Sequence, residues 1–234
     1  MWKRIFQQYL RAAQIEHSYP DSPAQLNRQE IAELRQLDYV GQWQLAREKG
    51  LYHLYFSDHS FFIFKTDPPQ SYSFFDCPIE IKSISEYLIS IDEPVTARNV
   101  NIYQENYDDY IATANFKKNF TPIRYDFDVG SYREGVHPAA HIHIGLENSI
   151  RIGLEKQLTP LAFLLFVIRQ MYPDNWERLL RNQVHKELPD KLHLKLEKVS
   201  EEYLGHYERC DLYLMGRNEW EKVANGVSIK FDFD

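Results

Sequence analysis

Residues 121–176 read TPIRYDFDVGSYREGVHPAAHIHIGLENSIRIGLEKQLTPLAFLLFVIRQMYPDNW, and this stretch decides the fold class. It holds three alternating runs, PIRYDFDV (122–129), AAHIHIGL (139–146) and SIRIGLE (149–155). Neighbouring side chains on a strand point to opposite faces, so alternation sorts the residues directly. Ile123, Tyr125, Phe127 and Val129 fall on one side of the first run, and Arg124, Asp126 and Asp128 on the other. In the second run Ile142, Ile144 and Leu146 oppose His141, His143 and Gly145; in the third, Ile150, Ile152 and Leu154 oppose Arg151 and Gly153. Pairing as an antiparallel meander would merge the apolar sides into one surface. Thr159 and Pro160 then stand in the cap and first-turn positions of a helix whose LAFLLFVI is almost free of polar residues. About eight such side chains at roughly 1.5–3 kcal/mol each make it a core element over residues 159–172.

Outward from this segment, WKRIFQQYLRAAQI predicts an amphipathic helix, with Trp2, Ile5, Phe6, Tyr9, Leu10 and Ala13 on one stripe. A second helix is expected over 24–37. LYHLYFSD and SFFIFKTD, around Asp58-His59, predict a hairpin, SYSFFDCPIEI a third strand, and SISEYLISI a short helix capped by Ser83 or Ser85. Residues 96–118 have a mixed period. The expectation is a single α+β domain over 1–234 with a largely antiparallel sheet, one buried helix packed on it, an N-terminal helical segment (1–45) and a site-bearing part at 120–176.

The 234 residues are 44% hydrophobic and 26% charged, which excludes global disorder. The 16 Tyr, 14 Phe and 4 Trp must supply much of the buried area. Two cysteines, Cys77 and Cys210, are too few for a disulfide scaffold or a cysteine-based zinc module, which points to a reducing compartment. No stretch approaches eighteen apolar residues and charge interrupts the N-terminal run, so neither a membrane span nor an export signal is read, and the cytoplasm is the expected location. Net charge is −7; residues 51–110 carry 3 basic and 10 acidic side chains and hold the whole excess. Duplex DNA is therefore not an expected partner, because gripping it takes a basic face.

The polar face is the candidate site. One wet face is ordinary for an antiparallel sheet, yet two histidines at i, i+2 beside Asp and Arg are not the ordinary Lys, Glu and Thr of such faces, and imidazole both titrates near neutral pH and ligates metals. Gly145 and Gly153 would remove bulk where a ligand approaches. Metal-free phosphodiester cleavage would use His141 and His143 as acid and base, Asp126 to orient a histidine, and Arg124 and Arg151 to bind phosphate. A divalent metal would instead take His141, His143 and Asp126 or Asp128, leaving a position open for water. His137-Pro138 reads as the turn before the strand. His185, His193 and His206 read as surface positions, Asp92-Glu93 and Asp108-Asp109 as cap or loop charges, Cys210 as a small buried residue, and the aromatic 51–75 segment as core.

At RYDFD, HPAAHIHIG, SIRIG and TPLAFLLFVIRQMYP the chain resembles a bacterial family catalogued as a domain of unknown function, number twenty-two-ninety, best over 120–176. That resemblance implies bacterial origin and no established reaction. The chain is also similar to toxins of the TumE-like class, which carry an Arg-aromatic-Asp strand followed by a proline-histidine strand with a second histidine two residues on. Here those positions are Arg124, Tyr125 and Asp126, then His141 and His143, although the usual Asn after the Asp is absent. The likeness implies a toxin-like or antiphage role. A hydrolase acting on a phosphodiester, RNA or a nucleotide, is the leading expectation. The alternative is a non-catalytic protein-binding subunit of a defence or toxin-antitoxin assembly.

Overall fold

The structure, a computed structural model, describes residues 2–21, 28–146, 150–182 and 196–204. Among them, seven strands form one antiparallel sheet in simple sequence order: β1 (His17–Ser18), β2 (Leu54–Phe56), β3 (Phe61–Lys65), β4 (Gln70–Phe75), β5 (Ile123–Phe127), β6 (Ala140–Ile144) and β7 (Ile150–Gly153). The helices are α1 (Trp2–Ala12), α2 (Arg28–Gln36), α3 (Tyr39–Glu48), α4 (Ile84–Ser90), α5 (Ala97–Ile102), α6 (Gln104–Ala112), α7 (Pro160–Met171) and α8 (Pro173–Arg181). The α+β class, the meander of the three alternating runs and the buried helix are as the sequence predicts. None of these helices is long and apolar enough to cross a membrane.

Two hydrophobic clusters sandwich one half of the sheet. The larger takes Phe6 and Leu10 of α1, Phe62 and Phe64 of β3, Tyr72 and Phe74 of β4, Tyr125, Ile142, the whole buried run of α7, and Trp176 of α8. The smaller lies on the other face, where Trp43 and Ala46 of α3 and Tyr107 and Ile111 of α6 meet Phe61 and Cys77. β3 therefore reads FFIF without alternation because both of its faces are covered, whereas β5 and β6 alternate because one of theirs is polar. The aromatic 51–75 segment is core, as expected.

Local signals explain most element ends. Thr159 accepts a hydrogen bond from Ala162 N at 3.2 Å and Pro160 occupies the first turn of α7. Ser83 caps α4 in a reciprocal box with Glu86. β4 stops at Phe75, short of the expected run through 81, and Pro78 just beyond has no N–H to give a ladder. Of the helix expected over 24–37, residues 22–27 lie outside the described residues. Three helices carry no clear signal in the sequence: α3, capped by Asp38 but interrupted by Gly41, and the pair α5 and α6, where the period is mixed.

Tyr125 ties the sheet to the entry of α7. Its ring is fully buried and its hydroxyl accepts from Leu158 N at 3.1 Å. Tyr125→Phe leaves that buried N–H unpaired, and urea unfolding should show a loss of about 1–3 kcal/mol. An unchanged midpoint would mean that water reaches Leu158 N.

Candidate functional site

The register of β4 to β7 lays two polar rows across the face turned away from α7. One row runs Ser73, Arg124, His143, Arg151; the other runs Ser71, Asp126, His141, Gly153. Directly opposed residues of an antiparallel pair have Cβ atoms only ~4.5–5.5 Å apart. Asp126 thus sits beside His141 and one row from His143, and the three offer ligand atoms that all lie within 4.8 Å of one another.

The hydrogen bonds define the states of Asp126 and His141. Asp126 Oδ1 accepts from Ser71 Oγ at 2.8 Å, and Oδ2 accepts from Arg124 Nε at 2.8 Å. His143 Nε2 lies 3.4 Å from the same Oδ2 and His141 Nε2 3.9 Å from it. His141 Nδ1 is 2.8 Å from Pro138 O. A carbonyl only accepts, so Nδ1 carries the hydrogen and the lone pair of neutral His141 is on Nε2. That nitrogen is buried and has no hydrogen-bond partner among the described residues; the same holds for His143 Nδ1 and His137 Nδ1. The rings of His137 and His141 are 4.8 Å apart, and those of His141 and His143 4.6 Å, both edge to face. Three unsatisfied imidazole nitrogens in one place call for an explanation, since buried polar atoms are ordinarily paired.

Electrostatics keep the cluster as a carboxylate with a neutral imidazole. Burial alone would raise the Asp126 pKa, but the His143 and Ser71 hydrogen bonds and the Arg124 guanidinium hold it down at about 2. Burial, helped by His143, lowers His141 to about 4, with Asp126 and the Pro138 carbonyl opposing. His141 and His143 are only 1% and 3% exposed, while the Asp126 side chain keeps 21% exposure. Such burial makes alanine a poor probe of these histidines, because removing a buried ring leaves a cavity whatever its chemistry.

Other expected residues are placed as follows. Arg124 belongs to the cluster through Asp126. Arg151 is exposed on β7 and donates to Val136 O at 3.4 Å. Asp128 lies beyond the end of β5, where it accepts from Gly130 N and Ser131 Oγ and caps a short 3₁₀ turn; it is not a member of the three-residue cluster. His137-Pro138 is the turn before β6, closed by paired backbone bonds between Arg133 and His137. Glu93 accepts from Asn99 and Tyr103, and Asp108 pairs with Arg47, so these act as local structural charges. His185, His193, His206 and Cys210 lie outside the described residues.

A third buried histidine escaped the sequence reading, which saw Asp58-His59 only as a turn. His59 adopts φ 66° there, a region that His tolerates better than most residues. Tyr107 OH donates to Lys82 O at 2.8 Å, so it accepts from His59 Nε2 at 2.6 Å, and Nδ1 accepts from Tyr55 OH at 2.6 Å. Every polar atom of this relay is satisfied, which marks it as structural. Burial first, and the Arg47 charge second, push its pKa down to about 4. A histidine held below its unfolded value near 6.5 contributes stability that is complete above pH 6.5 and lost as pH falls toward 4. By linkage the loss at pH 5 is about 2 kcal/mol. The buried His141, also lowered to about 4, adds a comparable dependence over the same window, so His59→Asn should remove only the His59 share of the difference between urea midpoints at pH 7 and pH 5; an equal slope in both proteins would refute it.

The model of the family described as "Uncharacterized conserved protein (DUF2290)" matches residues 15–207, and the chain belongs to that family. The matched span contains the whole candidate site. Comparison with curated proteins and with solved structures returns no match.

Proposed function

We propose that the chain is a divalent-metal-dependent phosphodiester hydrolase whose ion is held by Asp126, His141 and His143, with single-stranded RNA as the first substrate to test. The observation that carries this reading is the convergence of two imidazole nitrogens on one carboxylate oxygen, at 3.9 and 3.4 Å, with the His141 lone pair buried and unpartnered among the described residues. Two nitrogens and one oxygen form a donor set suited to a hydrolytic divalent ion with open positions. The Pro138 carbonyl on His141 Nδ1 and the Ser71 hydroxyl on Asp126 are the outer partners that aim such ligands.

The same geometry weighs against metal-free acid and base catalysis by the histidine pair. In-line displacement needs the two proton-transfer groups on opposite sides of phosphorus. Here the rings touch edge to face, leaving no room for a phosphoryl group between them. A bound ion would polarise a phosphoryl oxygen and acidify water. Arg124 and Arg151 flank His143 in its row and would neutralise phosphate charge. The acidic balance favours a single strand over a duplex, and cleavage of RNA would fit the toxin-like role that the TumE likeness implies.

The test is cleavage of a fluorescent single-stranded RNA by chelator-treated protein with Mg²⁺, Mn²⁺ or Zn²⁺ added back. The expected result is no cleavage in chelator and recovery with one of the ions. Cleavage that persists in chelator would return the histidines to an acid and base role, and a bound metal without cleavage of any phosphodiester would overturn the assignment.

A second reading, partner docking, is supported by Ile89 and Ile102, which are 63% and 56% exposed on α4 and α5 within the acidic 51–110 segment. If these exposed side chains bind protein, Ile89→Asp with Ile102→Asp should change the sedimentation of the chain in extracts of its host while leaving RNA cleavage intact.

A further inference from the structure

A cavity of about 370 Å³ opens near the carboxylate and imidazole cluster, between the start of α3, strands β4 and β5, and the turn that follows β6. Its walls include Leu37, Asp38, Gln42, Ser73, Phe75 and Arg124. That volume is at the lower end of ligand pockets and suits one planar unit of a chain, not a duplex. The cavity is joined to the cluster by one side chain: Arg124 lines it and also donates through Nε to Asp126. In the cross-strand row, Ser73 is the neighbour of Arg124 and Arg124 the neighbour of His143, so the pocket begins one residue from the proposed metal ligands.

The lining has a directional chemistry. Leu37 and Phe75 supply apolar surface. Asp38 uses Oδ1 to cap α3 through Gly41 N, and Gln42 commits its Nε2 to Leu37 O, so each keeps a side-chain oxygen that can accept. The wall behind them is stiff, because Tyr39 is stacked between Phe75 and Phe120 at 5.8 and 5.1 Å and donates its hydroxyl to Asp76 O. The Asp38 carboxylate and the Gln42 amide oxygen are two acceptors on residues that line the same largely polar cavity, and such a pair matches a base edge that offers neighbouring N–H donors. Among the four bases, guanine presents N1–H and the N2 amine side by side, while adenine and cytosine offer one amine and uracil one imino N–H.

We propose that this cavity is a guanine pocket for the nucleotide adjoining the scissile phosphate, an assignment that rests on the hydrolase reading for its place in catalysis. Asp38 and Gln42 accept from the Watson–Crick edge, and Arg124 holds the phosphate between base and metal site.

The test is calorimetric titration of the full chain, without metal, with GMP, AMP and ribose 5-phosphate, the last carrying the phosphate and no base. GMP should bind at least tenfold more tightly than either of the others. Gln42→Ala should remove that advantage and Gln42→Glu, which keeps an acceptor at the same place, should retain it, while ribose 5-phosphate binding and metal uptake stay as in the wild type. Equal binding of GMP and ribose 5-phosphate, or of GMP and AMP, overturns the pocket on the wild-type protein alone, so no variant needs to fold for the proposal to fail. GMP selectivity without RNA cleavage would retire the hydrolase and keep the pocket; cleavage without base selectivity would do the reverse.

Discussion

Asp126→Asn should lower metal-dependent cleavage by about 10³-fold, the equivalent of ~4 kcal/mol of transition-state stabilisation. It should also abolish the rise in melting temperature that a saturating divalent ion gives the wild type. An ion at a hundred times its dissociation constant stabilises by about 2.7 kcal/mol, which for a chain of this size is about 5–10 °C. The substitution keeps shape and one acceptor oxygen, so Ser71 or Arg124 can still be satisfied, but it removes the charge that two imidazoles and a guanidinium converge on. The control is Ser71→Ala, which loses one hydrogen bond to Asp126 and should retain most of the metal-induced rise. If Asp126→Asn keeps both the rise and the cleavage, the cluster is a structural polar network and the hydrolase assignment fails.

Phe163→Ala should cost about 3–5 kcal/mol and lower the melting temperature by about 6–20 °C. Phe163 is fully buried in the first turn of α7 and meets the rings of Phe62, Phe64 and Tyr72 with centroids 6.2, 6.4 and 5.9 Å away. Such a loss is a large part of the ~5–15 kcal/mol that holds a domain together. Because α7 packs on the face opposite Asp126, His141 and His143, the folded variant should still show the metal-induced rise. A cost under 1 kcal/mol would mean that the core collapses freely into the gap, and loss of the rise at temperatures where the variant is folded would mean that the two faces are coupled.

The four polar residues that matter most were legible because strand geometry is local. In RYDFD and HIHIG each side chain's face follows from its parity, and Thr159-Pro160 announces the helix that makes one face interior. Parity also put Asp128 on the same side as Asp126, but β5 ends at Phe127 and Asp128 turns to cap the backbone that follows. The uninterrupted FFIF of β3 held a further clue, since a strand apolar on both sides must be covered on both, and α3 and α6 provide that cover.

By itself, then, the chain determined its class, the order of its site-bearing strands and the identity of the face that carries Arg124, Asp126, His141 and His143, because these depend on periods of two and on caps a few residues away. Tertiary structure alone decided that Pro138 orients His141, that His141 and His143 are buried beside an Asp126 of lowered pKa, and that Asp38 and Gln42 at the start of α3 line one cavity with Arg124. Those outcomes depend on which distant segments pack together, and packing free energy is summed over contacts that no local pattern records.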